Sequence, residues 1–237
     1  MNSLPRPRIG ITCGRIGNPI NKQHLYGESI IRAGGDPQYL HTDTCREFPI
    51  NSLNGLLIPG GMDIDPERYG EPRLYYSHPD IHPEVDDRIV YELELLNIFL
   101  RYNKPVFGIC YGMQLINIYF GGSLHADLHS NIVARLSGAL DHRSGQHDIT
   151  VCANPYNPYL PEGTWTVNSS HHQAIDSLGD RIGDGLTAAA FSSDGIIEAV
   201  YSVYNRFLFG VQWHPERLAS PLSDHLFERF VSACKPE

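Results

Sequence analysis

The chain has 237 residues, 41% apolar and 19% charged, and a net charge of −9. That length buries a sizeable core in one large domain or two small ones, and the composition is that of a globular chain, not a disordered one. The acidic balance argues against a general nucleic-acid binder. No run of about 18 apolar residues forms a membrane span, and the start, Met1-Asn2-Ser3-Leu4-Pro5, lacks the apolar core of a signal peptide, so a cytoplasmic chain is expected.

In chain order, Arg8 to Cys13 reads as a strand, Asn21 to Ala33 as a helix closed by Gly34-Gly35, and Gln38 to Leu40 as a short strand. Gly55 to Ile58 is a buried strand stopped by Pro59-Gly60-Gly61, and Met62 to Pro83 is a loop rich in Pro, Tyr and acids. Ile89, Leu93, Leu96 and Leu100 stripe a helix over Asp86 to Tyr102, which Lys104-Pro105 ends. Val106 to Ile109 is a strand and Gly112 to Phe120 a helix. This alternation predicts a parallel sheet with helices on its faces.

The second half changes character. His147 to Cys152, Thr164 to Val167, Ala188 to Phe191, Ile196 to Val203 and Phe207 to Trp213 read as strands, and Ser193-Asp194-Gly195 as a hairpin turn. A last helix starts at Ser220-Pro221, an N-cap followed by Pro. No repeat or linker interrupts the chain, so one α/β domain over residues 1–237 is expected, with a mostly parallel sheet and extra antiparallel strands in the second half.

The five cysteines, Cys13, Cys45, Cys110, Cys152 and Cys234, are odd in number and scattered, which favours neither disulfides nor a structural zinc site. Cys110 stands apart. It sits in Val106-Phe107-Gly108-Ile109-Cys110-Tyr111-Gly112-Met113-Gln114: apolar strand, Gly-x-Cys-x-Gly, helix. This is the pattern of a nucleophile elbow with Cys in place of Ser. Small residues on both sides let the chain turn sharply at the carboxyl end of the sheet, and the following helix N-terminus suits a thiolate. A core cysteine between two structural glycines is the plainer alternative.

A thiol nucleophile needs a base and an orienting group. His214-Pro215-Glu216 follows the strand Phe209 to Trp213, and Pro pushes His214 to extended geometry. Residues i and i+2 then share a side, so Glu216 could hold the His214 ring toward Cys110. Alone, this tripeptide reads more readily as a surface turn. Pro59-Gly60-Gly61 also ends a strand, and N–H groups of Gly60, Gly61 and Tyr111 could form an oxyanion hole. Alone, that too is a plain turn.

Together, PGG after a strand, G-x-C-x-G-x-Q at an elbow and HPE near the C-terminus resemble the class I glutamine amidotransferase-like superfamily, over nearly the whole chain. Within it, the chain is similar to the gamma-glutamyl-gamma-aminobutyrate hydrolase-like branch. The segments Gly60-Gly61-Met62-Asp63-Ile64-Asp65-Pro66-Glu67-Arg68-Tyr69-Gly70-Glu71, Gly121-Gly122-Ser123-Leu124 and Val167-Asn168-Ser169-Ser170-His171-His172-Gln173-Ala174 carry that likeness. One departure is Tyr111, where the branch often has Arg.

The resemblance implies a flavodoxin-like fold and a Cys110–His214–Glu216 triad that cleaves a gamma-glutamyl amide through a thioester. It implies head-group contacts from Gln114, one helical turn past Cys110, and from Ser169, Ser170 and His171. It implies a small-molecule gamma-glutamyl substrate. No cofactor, no metal and no nucleic-acid or membrane partner are expected, the last two from the acidic charge and the lack of an apolar span. The oligomeric state stays open, a homodimer included. His171 and His172 are adjacent and point apart, and His125 and His129 have the i, i+4 spacing of zincins without the intervening Glu. Hydrogen-bonding roles suit these histidines better than metal ligation. Cys13, Cys45, Cys152 and Cys234 read as packing residues. Asn168-Ser169-Ser170 matches a glycosylation acceptor that a cytoplasmic chain would not use.

Two other functions compete with hydrolysis of longer gamma-glutamyl amides. One is a glutaminase subunit feeding ammonia to a synthetase, which would be a separate chain because the module takes up nearly all 237 residues. The other is a non-catalytic binding module, disfavoured because all three triad residues are present.

Overall fold

The computed structural model describes residues 5–14, 22–43, 49–70, 82–129, 140–151, 157, 159–177 and 181–235. The first half contains β1 (Arg8–Cys13), α1 (Gln23–Arg32), β2 (Asp36–His41), β3 (Gly55–Ile58), α2 (Asp86–Arg101), β4 (Val106–Ile109) and α3 (Tyr111–Tyr119). The second half contains β5 (Leu124–His125), β6 (Gln146–Val151), β7 (Gly163–Asn168), β8 (Ala174–Ile175), β9 (Thr187–Ser192), β10 (Ile197–Ser202), β11 (Leu208–Val211) and α4 (Pro221–Ala233).

Nine strands form one sheet in the order β2-β1-β3-β4-β11-β10-β9-β6-β7. From β2 to β11 every pairing is parallel, and from β11 to β7 every pairing is antiparallel. The chain thus builds the expected α/β sheet, parallel over the five strands from β2 to β11, with antiparallel strands added from the second half. β11 is the seam. It is last in sequence but lies beside β4, with Phe209 against Phe107 and Val211 against Ile109. β5 and β8 pair separately as a two-stranded patch that no sequence pattern announced.

Alternation along the strands sets the two faces. Ile9, Ile11, Leu57, Phe107, Ile109, Phe209 and Val211 pack against Tyr26 and Ile30 of α1 and Leu226, Phe227 and Phe230 of α4. Leu56, Ile58, Val106 and Leu208 point the other way, against Leu96 and Phe99 of α2 and Met113 and Ile116 of α3. The central strands are buried on both faces, as their unbroken apolar runs require. At the last helix, the Ser220 hydroxyl accepts the Ser223 N–H at 3.2 Å, so the expected N-cap forms.

The fold brings the three motifs together. β3, β4 and β11 are adjacent and parallel, so PGG, the Cys110 turn and HPE leave the sheet side by side at its carboxyl edge. That edge is the ligand crevice of open α/β sheets.

Candidate active site

Cys110 adopts φ 53° and ψ −108°, a left-handed backbone that few non-glycine residues take. Such a conformation costs on the order of 1–3 kcal/mol and persists only where the surroundings impose it. Here they do. The Cys110 N–H donates to the Val211 carbonyl at 2.7 Å, and the Cys110 carbonyl receives the Gln114 N–H at 3.1 Å to open α3. The flanking glycines are obligatory. A Cβ on Gly108 would lie 2.6 Å from the Gly112 backbone, and one on Gly112 would run into the Ile58 carbonyl. The thiol is buried at the turn, and Gln212 Nε2 lies 3.5 Å from its sulfur.

His214 Nδ1 lies 2.8 Å from Glu216 Oε1, with both side chains buried. The local route to this contact differs from the extended segment expected. Pro215–Arg217 form a turn of 3-10 helix, and Glu216 folds back onto the ring from that turn. Asn168 fixes the backbone of His214 on both sides: its Nδ2 donates to the His214 carbonyl at 2.8 Å and its Oδ1 accepts the His214 N–H at 2.8 Å. Burial works against a charged imidazole. The Cys110 sulfur and the Glu216 carboxylate outweigh it and lift the His214 pKa to about 9.

The PGG loop sits over this pair. A Cβ on Gly60 would lie 2.6 Å from His214 Cε1, so glycine is what lets the loop approach the ring. The Gly60 N–H is engaged by the Tyr26 hydroxyl at 3.1 Å, so of the three expected oxyanion donors it is the one already committed. Arg88 from α2 braces the loop from behind, with Nη2 3.4 Å from the Pro59 carbonyl and 3.3 Å from that of Gly60. The Arg88 guanidinium is buried. It pairs with Glu84 and Glu92 at 2.5 and 3.0 Å and lies 4.4 Å from the centre of the Tyr111 ring. Burial disfavours its charge, but Glu92, Tyr111 and Glu84 hold it cationic. The large residue after Cys110 is therefore a buried platform under Arg88.

Of the four expected head-group residues, only Ser170 is exposed. Gln114 is buried, and its Nε2 donates to the Gln173 carbonyl at 2.8 Å and to Gln212 Oε1 at 3.1 Å. The Ser169 hydroxyl donates inward to the His142 carbonyl at 3.0 Å. His171 also turns inward, with Nδ1 3.1 Å from the Gln173 carbonyl. The expectation of head-group contacts from Gln114, Ser169 and His171 thus meets side chains already committed within the protein. His172 points the other way and joins Asp63 at 2.9 Å and Asp127 at 3.4 Å, which raises its pKa against the cost of burial.

Comparison with known proteins assigns the family. Residues 17–216 match Peptidase C26. The chain belongs to that family. Similar proteins include the gamma-glutamyl-gamma-aminobutyrate hydrolase of Escherichia coli, 33% identical over 233 residues covering 90% of this chain and 86% of that one. Another is Protein NtpR of Enterococcus hirae, 36% identical over 188 residues covering 77% of this chain and 75% of that one. Among solved structures, the glutaminase domain of Trypanosoma brucei CTPS with bound acivicin aligns with a TM-score of 0.67 at 15% identity, covering 96% of this chain and 93% of that one. A glutamine amido transferase from Methylobacillus flagellatus aligns with a TM-score of 0.64 at 15% identity, covering 98% and 96%. The fold is that of class I glutamine amidotransferases, and membership of Peptidase C26 places the chain among hydrolases.

Several residues that shape this Peptidase C26 site carry little sequence signal. Arg88 lies on an amphipathic helix and looks like a surface cation. Gln212 offers a hint, as a polar residue in an apolar strand, two before His214. Gln173 links two loops: its Oε1 accepts the Ile64 N–H at 2.8 Å and its Nε2 donates to the Ile64 carbonyl at 3.2 Å. Burial pushes the Cys13 thiol up to about 12 and the Cys234 thiol higher still, as packing cysteines require. Cys45 and Cys152 lie outside the described residues, as does Glu71 of the loop motif. Among the described residues, no helix is long and apolar enough to cross a membrane.

Proposed function

We propose that this Peptidase C26 member is a cysteine hydrolase that cleaves a gamma-glutamyl amide through a gamma-glutamyl thioester, releasing glutamate and an amine. The observation that carries this reading is the pairing of the Cys110 elbow with a His214 ring held by Glu216 at 2.8 Å. Cys110 Sγ attacks the amide carbonyl carbon. The developing oxyanion takes the N–H groups of Gly61 and Tyr111, with Gly60 serving the close approach of the loop to His214. His214, kept protonated by its two neighbours, gives its proton to the departing amine as the C–N bond breaks. The neutral ring then takes a proton from water, whose oxygen attacks the thioester; the C–S bond breaks, glutamate leaves, and the thiolate beside a protonated His214 that began the cycle, the thiol proton resting on the ring, is restored. Glu216 orients the ring throughout and steadies its charged form.

We further propose that residues 1–237 act as one catalytic domain on a small molecule. Ser170 and the N–H groups around the elbow are the head-group donors left by the commitments of Gln114, Ser169 and His171. The amine half is decided by a substrate screen. Purified protein is expected to release glutamate from gamma-glutamyl-amines faster than from glutamine, and Cys110→Ala is expected to abolish this release. Persistent turnover in that variant would remove the assignment. A strong preference for glutamine, stimulated by a synthetase, would instead identify a glutaminase subunit.

A further inference from the structure

The antiparallel half holds a buried polar group that hydrolysis does not use. His142, His171 and Glu198 come from three separate segments, and their side chains are 1%, 2% and 0% exposed. One ligand atom from each lies within 4.8 Å of the other two. Their hydrogen bonds decide which of these atoms carry protons. His171 Nδ1 faces the Gln173 carbonyl, which only accepts, so Nδ1 bears the proton and Nε2 presents a lone pair. His142 Nε2 lies 3.0 Å from Asp194 Oδ2 and donates to it, so Nδ1 is the nitrogen of that ring that can offer a lone pair. Neither His142 Nδ1 nor His171 Nε2 has a hydrogen-bond partner.

Both lone pairs point at the same carboxylate. Glu198 Oε1 is 3.5 Å from His142 Nδ1 and 3.7 Å from His171 Nε2. His147 Nε2 donates to that oxygen at 3.1 Å, while Oε2 is without a partner. Buried acceptors facing one another are costly unless a proton or a metal ion lies between them.

We propose that His142 Nδ1, His171 Nε2 and the Glu198 carboxylate form a binding site for one divalent transition-metal ion of the zinc class. Metal–ligand bonds of about 2.0–2.2 Å in tetrahedral geometry put ligand atoms about 3.4 Å apart, close to the two His–Glu separations. Two imidazoles and one carboxylate suit zinc and its neighbours, whereas calcium and magnesium prefer oxygen alone. The outer partners also fit. Metal-binding histidines usually give their second N–H to a carboxylate or backbone carbonyl, and Asp194 and the Gln173 carbonyl stand in those places. His147 holds the carboxylate in the same way. The His142 carbonyl accepts from the Ser169 hydroxyl and the His171 N–H, so an ion here ties β10 to the 169–173 segment behind the proposed active site. Spacing rules along the sequence miss such a site because its ligands are far apart in the chain.

The test uses the full-length protein, freed of metal with a chelator and titrated with Co2+. One equivalent is expected to give the visible d–d bands of a tetrahedral nitrogen–oxygen site, and one equivalent of Zn2+ is expected to remove them and raise Tm. His142→Gln and Glu198→Gln, checked for folding by circular dichroism, are expected to weaken binding by about 100-fold or more. The exposed His24→Gln is expected to leave it unchanged. Absence of the bands and of a Zn2+-dependent Tm shift in the unmutated protein would overturn the proposal. So would bands that survive His142→Gln, because they would mark a surface histidine as the ligand.

Discussion

The parallel and antiparallel halves of the sheet build the candidate site by different means. The parallel half works through its backbone. β3 and β4 end in turns where glycines at 60, 61, 108 and 112 allow close approach and Cys110 takes a left-handed φ of 53°. The antiparallel half works through side chains. Asn168 at the end of β7 grips both peptide groups of His214, and Glu198 of β10 anchors a group of buried histidines. β11 belongs to both, pairing parallel with β4 and antiparallel with β10, and it delivers His214 to the junction. Cys110, the proposed nucleophile, is thus set by sterics, which tolerate almost no change, and His214, the proposed base, by hydrogen bonds, which can be weakened in steps.

Substitutions test that difference, and the largest loss of stability is expected at a glycine of the parallel half. Gly112→Ala drives a methyl into the Ile58 carbonyl, a backbone atom with little freedom to yield. A loss of about 3 kcal/mol or more is expected in urea unfolding. Gly195 in the β9–β10 hairpin is the matched control. Its φ is +86° and a Cβ added there would meet nothing within 4 Å, so Gly195→Ala is expected to cost only about 1 kcal/mol. Equal losses at the two positions would contradict the steric account of the elbow.

Next comes the orienting carboxylate. Glu216→Gln keeps the shape of the turn but removes the charge that holds the His214 ring. A fall in kcat of about 10^3- to 10^4-fold is expected, with little change in KM. A loss confined to KM would show that Glu216 binds substrate instead of orienting the base.

The pH dependence sharpens the same point. The folded pKa of His214 is about 9, above the ordinary value of about 6.5. The stability this group contributes is complete below about 6.5 and is lost as pH rises through about 9. The proton needed by the leaving amine is lost over the same range. Both kcat and unfolding stability are therefore expected to fall on the alkaline side near pH 9. In Glu216→Gln that fall is expected to move to lower pH, and an unmoved profile would assign the titration to another group.

The smallest effect on turnover is expected in the antiparallel half. Asn168→Ala removes two hydrogen bonds that position the His214 backbone but leaves the side chains of the proposed triad intact. A loss of about 1–3 kcal/mol and a fall in kcat of about 10-fold are expected. Rescue by Asn168→Asp would be partial, because a carboxylate accepts the N–H but cannot donate to the carbonyl.

Most of the parallel half was legible in the sequence because strands buried on both faces are written as apolar runs closed by Gly or Pro. The elbow was legible because its sterics leave few residue choices, and Gly108 and Gly112 record them. The contact between His214 and Glu216 was expected but by the wrong local route, since Pro215 opens a 3-10 turn where extended chain was anticipated. The inward turn of Ser169 and His171 was not legible. Alternation does separate His171 from His172, but nothing local says which of them meets the buried Glu198. Arg88, Gln173 and Gln212 stayed hidden for a related reason. Their partners are distant in the chain, and a polar residue's burial depends on who satisfies it. β5 and β8, two residues each, are too short to carry a period.

The central claim is that Cys110 carries the glutamyl group between the two halves of the reaction. Acid quenching during turnover of a gamma-glutamyl amide, followed by intact and peptide mass spectrometry, tests it most directly. The account predicts a glutamyl adduct on the peptide containing Cys110, cleaved by hydroxylamine and absent from Cys110→Ala. Steady turnover with no adduct on that peptide, or an adduct on another residue that forms and decays at the rate of turnover, would contradict it.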